Sequence, residues 1–329
     1  NPPAIAGRSD AKSNDVADMV EAMLAQIMPT FSNDTVATFE AQNEQDEQQA
    51  QLESDVVNYY IMEKSSGYKV FYEAVKDALL LKNGIVKVYV DQGEKVEINE
   101  YPPLDEMQLA YIQAENPDTE VLAEETDTGT TVKIVRPYKK FTCESVAPED
   151  FVISSEARDL DLQDIAFCAH QRVETQTSLL EMGIDPAIVL ECPTWNSDVQ
   201  TDQLARNQAS DEDEYYSYQD ATRHIRVWEA YVRVDYDGDG IAELRRVLFC
   251  DNNILQNEIA QWVPFACGAP FLNPHRWVGI SLFDKLKDIA DQKTLYLRQY
   301  ADNMVHHNNR RMAAVEGQVN MDDLINSRP

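Results

Sequence analysis

Apolar residues recur along this chain in two rhythms. From Val16 onward, Val16, Met19, Val20, Met23, Leu24, Ile27 and Met28 fall at helical spacing, with Asp15 placed to cap the start. TVATFEAQ at 35–42 is a short extended piece, and NEQDEQQAQLESDVVNYYIMEK reads as a second helix whose first half is polar and acidic. A third helix, GYKVFYEAVKDALLLKN, stops at Asn83-Gly84, where a glycine can take the left-handed conformation past a C-terminus.

The rhythm then shortens to two. GIVKVYVDQ alternates apolar and polar residues as a strand does. Residues 101–129 form a polar insertion, a short helix (LDEMQLAYIQAEN) followed by the acidic stretch EVLAEETDTG. TTVKIVRPYKKFTCESVAPEDFVIS carries two strand patterns with Pro148 between them. LDLQDIAFCAHQRV ends in a strand, and ETQTSLLEMG is a short helix closed by Gly183. Residues 194–220 have no periodicity and a dense run of Asp and Glu, the pattern of a surface loop.

Further on, Trp228, Ala230, Val232 and Val234 share one face of a strand while Glu229 and Arg233 take the other; downstream, Glu243 and Arg245 alternate with Leu244 and Arg246. The intervening DYDGDG is therefore the turn of a hairpin, where Asp supplies local hydrogen bonds and Gly a positive φ. Asp235, Asp237 and Asp239 also imitate the start of a calcium loop. That loop requires flanking helices and a bidentate Glu at its twelfth position, which here is Arg246. A turn without a specific metal is the preferred reading, and a calcium-dependent binding or structural module using 235–240 is the alternative.

Three prolines and two glycines within 264–279 mark an irregular, hinge-like connector. A helix of nearly 30 residues begins near Ser281. It sets Phe283, Leu286, Ala290, Leu297, Ala301 and Met304 on one stripe, and Asp284, Asp288, Asp291 and Asp302, with Arg298 among them, on another. The plain interpretation is a core face and a solvated face. The sharper one is a wall: repeated around a ring, the acidic stripe would line a channel.

Composition narrows the choice. With 329 residues and 43% apolar content the chain can bury a sizeable core, and a formal charge of −30 argues against binding nucleic acid by phosphate neutralisation. Five scattered cysteines without C-x-x-C spacing suggest neither a disulfide framework nor a zinc site. No apolar run approaches a membrane span, no G-x-x-x-x-G-K-[ST] loop is present, and no cofactor or catalysis is expected. The start at Asn1 and the stop at DDLINSRP suggest a piece of a longer chain. The adjacent His306 and His307 of HHNNRR lack chelating spacing and read as a polar helix end.

The stretches VWEAYVRVDYDGDGIAELRRV, VPFACGAPFLNPHRWVGISLFDKLKDIADQKTLYLRQYADNM and AAVEGQVNMDDLINSRP closely resemble the portal proteins of short-tailed bacteriophages. So do VNYYIMEKSSGYKVFYEAVKDALLLKNGIVKVYV and VAPEDFVISSEARDL with the following CAHQRVETQTSLLEMG. The resemblance implies an α+β chain, with a mixed helix and antiparallel-strand wing domain (1–265) followed by a connector and long protruding stem helix (266–310) and the start of a clip region (311–329). It implies a subunit of a homo-dodecameric ring at a capsid vertex, the channel for double-stranded DNA packaging and ejection. The partners it implies are the terminase large subunit, a head-tail adaptor, and capsid and scaffolding proteins, with no membrane. On that reading Asp284, Asp288, Asp291, Arg298 and Asp302 line the channel, and Phe283, Leu286, Ala290, Leu297 and Met304 pack between subunits. Arg310 and Arg311 contact DNA or a partner at the clip.

Overall fold

The computed structural model describes residues 2–3, 5, 8–31, 35–41, 43, 46–102, 106–115, 119–126, 129–195 and 222–308. The chain divides into two compact units, Ala22–Leu282 and Asn1–Glu21 with Phe283–Pro329. Its strands in chain order are β1 (Gly84–Tyr101), β2 (Glu120–Thr126), β3 (Gly129–Val146), β4 (Phe151–Ile153), β5 (Phe167–Thr175), β6 (His224–Val234), β7 (Glu243–Cys250), β8 (Asn253–Ile259) and β9 (Phe265–Gly268). Its helices are α1 (Asp15–Ile27), α2 (Glu47–Asn58), α3 (Gly67–Leu81), α4 (Glu106–Glu115), α5 (Gln176–Glu181), α6 (Pro186–Glu191) and α7 (Leu282–Asn308). Mixed helices and antiparallel strands give the expected α+β class. Among the described residues no helix is long and apolar enough to cross a membrane.

The larger unit holds two antiparallel sheets, ordered β2-β3-β1-β9 and β4-β5-β6-β7-β8. One apolar cluster joins them: Ile85 and Val146 from the first sheet, Phe265 from its β9 edge, and Phe151, Cys168, Tyr231 and Leu244 from the second. A second cluster packs Leu179, Ile184, Val189 and Cys192 around α5 and α6 against Ile225, Val227, Leu248 and Cys250.

Several expectations from the sequence change. The 101–129 insertion is not a separate polar excursion: β1 runs through Tyr101, pairing with β3 from Ile85↔Val146 to Tyr101↔Thr130, and the acidic stretch 120–126 is a strand on the far side of β3. Backbone pairing along a ready sheet edge overrides the low strand preference of its glutamates. Residues 264–279 also hold regular structure, because β9 pairs with the start of β1 at Gly84↔Gly268 through Lys87↔Phe265. The remainder is tied down: the Asn83 amide donates to the Trp277 carbonyl and accepts from the Gly279 N–H, both at 2.9 Å. That path is anchored to the larger unit at both faces of one buried amide, which a hinge could not be.

The glycine at the end of α3 has another purpose than expected. The positive φ falls on Lys82, at 85°, while Gly84 opens β1 against the helix, where an added Cβ would lie 2.2 Å from the Ala74 carbonyl oxygen. Gly183 does take the left-handed value, φ 80°. Asp15 is the first residue of α1 instead of its cap, and its carboxylate accepts from the Ser13 hydroxyl and Lys293. The second predicted helix is α2 followed by a π-helical turn at Tyr59–Lys64. Asn58 at that junction accepts from the N–H groups of Val36 and Ala37 and donates to Ala37 O and Ser54 O. One side chain thus ties down the extended 35–41 segment, which belongs to neither sheet among the described residues.

Gly84→Ala is expected to cost about 1–3 kcal/mol, since α3 and β1 must separate to admit a methyl group. Denaturant unfolding of the variant beside the parent checks it.

Candidate functional site

Four kinds of site residue were expected, and the structure places them differently. The Asp-rich turn joins β6 to β7 as predicted. Asp235 accepts from the N–H groups of Gly238 (2.6 Å) and Gly240 (2.9 Å), Asp237 from Asp239 N–H, and Asp239 from Ile241 N–H. Gly238 and Gly240 supply φ of 80° and 87°. The three exposed carboxylates gather within 4.8 Å of one another, but each already serves the turn's own backbone. Arg246, counted as the twelfth loop position, is directed elsewhere, to Glu229; the cation beside the turn is Arg245, stacked 4.1 Å from the Tyr236 ring centre.

Helix α7 spans 27 residues, about 40 Å at 1.5 Å per residue. Its faces are sorted more finely than two stripes. Ala290, Thr294 and Arg298 are buried at four-residue spacing, and the N-terminal arm of the same unit supplies their polar partners. Arg298 donates to the carbonyls of Ala11, Pro2 and Pro3, and Asp302 accepts from Ser9 N–H at 2.8 Å. Asp284 and Asp288 are exposed and Asp291 is half-buried. Of the expected apolar stripe, Ala290 is buried, Leu286 and Ala301 are half-buried, and Phe283, Leu297 and Met304 are exposed. Ile289, Tyr296 and Tyr300, which the stripe did not include, are 64%, 68% and 66% exposed. His306 and His307 are exposed at the helix end. Arg310 and Arg311 lie outside the described residues, as does nearly all of the 194–220 loop.

The arrangement that the sequence did not suggest lies between the sheets. Glu229 sits on β6 on the face that also carries Ile225, Val227 and Tyr231, and this face, not that of Trp228, Ala230, Val232 and Val234, is the deeper one: Val234 is exposed, whereas Glu229 is 2% exposed. Ile225 and Val227 belong to one apolar cluster and Tyr231 to the other, so Glu229 falls between two cores. Its carboxylate meets Lys87 of β1 at 2.6 Å, Arg246 at 2.8 Å, the Tyr231 hydroxyl at 2.9 Å and Arg172 at 3.8 Å. Burial alone would raise its pKa, but Lys87, Arg246 and Arg172 overcome that and hold the group far below the ordinary carboxylate range. Lys87, 1% exposed, is lowered by burial and by Arg172 against the pull of Glu229, and its ammonium also stands 4.3 Å from the Tyr89 ring centre. The network opens on a cleft of about 350 Å³ rimmed by Tyr89, Gln92, Gln256 and Trp262. Glu229 accepts hydrogen bonds from Lys87, Tyr231 and Arg246 and is buried among three cations, the setting of a structural anion. The one sequence signal was a Glu and a Lys each flanked by apolar neighbours, in VWEAYV and GIVKVYV.

The sequence model of one family, described as the phage SU10 portal protein, matches residues 1–329. The chain is therefore a structural phage protein of the portal class, whose place is the virion capsid. It belongs to the phage SU10 portal protein family. No curated protein matches it.

Glu229→Gln should destabilise the larger unit by ~3–5 kcal/mol, because it strands three cations, whereas Glu229→Leu combined with Lys87→Met should recover part of that loss in the same denaturant titration. Burial, then Lys87 and Arg172, push His170 down to about 3. Folding therefore favours its neutral form, and stability is lost as pH falls below the ordinary value of 6.5, by up to ~1.4 kcal/mol per pH unit. Melting temperatures between pH 6.5 and 5 should show that slope, and His170→Phe should flatten it.

Proposed function

We propose that this chain is a subunit of a homo-dodecameric ring that forms the channel for double-stranded DNA packaging and ejection. In this reading Ala22–Leu282 serves as the wing and α7 as a stem helix whose Asp284, Asp288 and Asp291 face the axis. The observation that carries it is the segregation on α7: Asp284, Asp288 and Asp291 run up one flank, which the arm-bound Arg298 and Asp302 continue further along the helix, and the exposed Ile289, Tyr296, Leu297, Tyr300 and Met304 lie on the opposite side. Rings need no extra coding to turn one such stripe into a girdle, since rotation repeats it.

The physics of the cargo favours this sign of charge. Each phosphate neutralised by a cation adds salt-dependent affinity, so a basic lining would retard a moving duplex. Acidic rungs repel the phosphates and leave the DNA free to slide. Arg298 and Asp302, expected among the lining residues, bond to the arm; the proposal assigns the lining to Asp284, Asp288 and Asp291, nearer the start of α7. Docking of the terminase large subunit, a head-tail adaptor, and capsid and scaffolding proteins completes the proposal. The energy for transport comes from such a motor, because the sequence carries no phosphate-binding loop.

The triple change Asp284→Lys, Asp288→Lys and Asp291→Lys is expected to leave assembly intact and to slow DNA packaging, most strongly at low salt. Packaging measured in extracts complemented with the variant tests this; a rate equal to the parent's at every salt concentration removes the lining assignment.

A further inference from the structure

Around Glu229 two cations are hydrogen-bonded to the carboxylate and a third is not. Lys87 donates at 2.6 Å and Arg246 at 2.8 Å. Arg172, on β5, stands 3.8 Å from Glu229 and 3.6 Å from Glu174, both beyond hydrogen-bond length, and its Nε is buried with no hydrogen-bond partner among the described residues. The N–H groups of a guanidinium form a planar fork of donors, and donors left unmatched away from water cost free energy. The Arg172 side chain is only 15% exposed, and it lines the cleft between the two sheets.

The lining carries three cations (Lys87, Arg172 and Arg246) and three carboxylates (Asp91, Glu229 and Glu258). Glu258 takes the Gln256 amide at 2.7 Å and Arg246 at 3.7 Å, and Asp91 accepts from the Tyr138 hydroxyl at 3.4 Å. Asp91 stands past Lys87 on β1 by about 13 Å along the strand, where Val90 and Gln92 are already exposed. The charges cancel, but unfilled donors remain at Arg172. Apolar surface surrounds it. Val90, Met182 and Trp262 are 55%, 37% and 51% exposed, come from β1, the end of α5 and the segment before β9, and line the same cleft. Small-molecule sites combine apolar walls with a few convergent polar groups in volumes of about 300–1,000 Å³; this cleft measures about 350 Å³.

We propose that the cleft binds a small molecule made of a carboxylate on an apolar body. Its two oxygens accept from the Arg172 fork, the bidentate match that a planar guanidinium makes with a carboxylate, and its body lies against Val90, Met182 and Trp262. Glu174 and Glu229, at 3.6 and 3.8 Å from the guanidinium, select against a doubly charged phosphate. The ligand touches β1 of one sheet and β5 of the other, so its occupancy strengthens their join. The site lies wholly within Ala22–Leu282 and needs no second copy.

The test titrates phenylbutyrate and its uncharged amide into the full chain and reads tryptophan fluorescence. The acid is expected to give a saturable change and to bind at least about tenfold more tightly than the amide, since hydrogen bonds between charged groups are the stronger ones. Arg172→Gln should remove that preference, and Trp262→Phe should remove most of the signal. No saturable change, equal binding of acid and amide, or an undiminished preference in Arg172→Gln overturns the site. A second variant leaves the Glu229 network alone and serves where Arg172→Gln fails to fold: Gln92→Cys, capped with a bulky maleimide, blocks the rim of the cleft and should abolish binding of the acid, whereas unchanged binding overturns the site. A glutamate peptide capped at both ends that outbinds phenylbutyrate overturns the small-molecule assignment.

Discussion

Glu229 is an ionised carboxylate almost without access to water, held so by Lys87 from one sheet and by Arg172 and Arg246 from the other. The larger unit depends on that contact because, among the described residues, its two sheets share one apolar cluster, and the second cluster lies at the other end of β6, around α5 and α6. Between the clusters the polar seam carries the join. Buried ion pairs add little to net stability beyond what apolar substitutes would provide, but they penalise every arrangement in which a partner is missing. Here that penalty helps fix the register of β1 against β3 and β9, which decides whether Lys87 faces the other sheet. A slip of one residue would turn Lys87 away from the seam and leave an anion with two arginines on its own sheet and none from the other.

Much of the architecture was legible from periodicity. Helix positions, the strand pairs on either side of Asp235–Gly240 and the long helix from Leu282 all followed from spacing, because in those stretches local preference and burial agree. The misreadings occurred where they disagree. Glu229 looked solvent-facing because strand alternation reports polarity and not depth, and only Lys87, 142 residues away in sequence, makes its burial tolerable. Gly84 was read as a left-handed helix stop and Gly279 as part of an irregular connector, yet what each requires is room, beside the Ala74 carbonyl in one case and the Ala269 side chain in the other. Close approach of distant backbone leaves no mark in a one-dimensional pattern.

The helix faces show the same limit on a smaller scale. Counting residues around α7 separated apolar from acidic positions, but it put Arg298 among the aspartates as though all were exposed. Its true partners are carbonyls of residues 2, 3 and 11, and no residue type in that arm advertises them. Ile289, Tyr296 and Tyr300 were passed over because they do not share the stripe of Leu286 and Ala290. The helix therefore carries two unlike flanks: one acidic and, further along, bound by the arm at Arg298 and Asp302, and one bearing the exposed Ile289, Tyr296 and Tyr300.

The most direct test of the account is averaged particle images of the complete protein at side-chain resolution. The account predicts an annulus of twelve copies with α7 beside the bore, Asp284, Asp288 and Asp291 pointing into a hole wide enough for a duplex. A ring whose bore is lined by other elements, or particles with no rotational order, would contradict it.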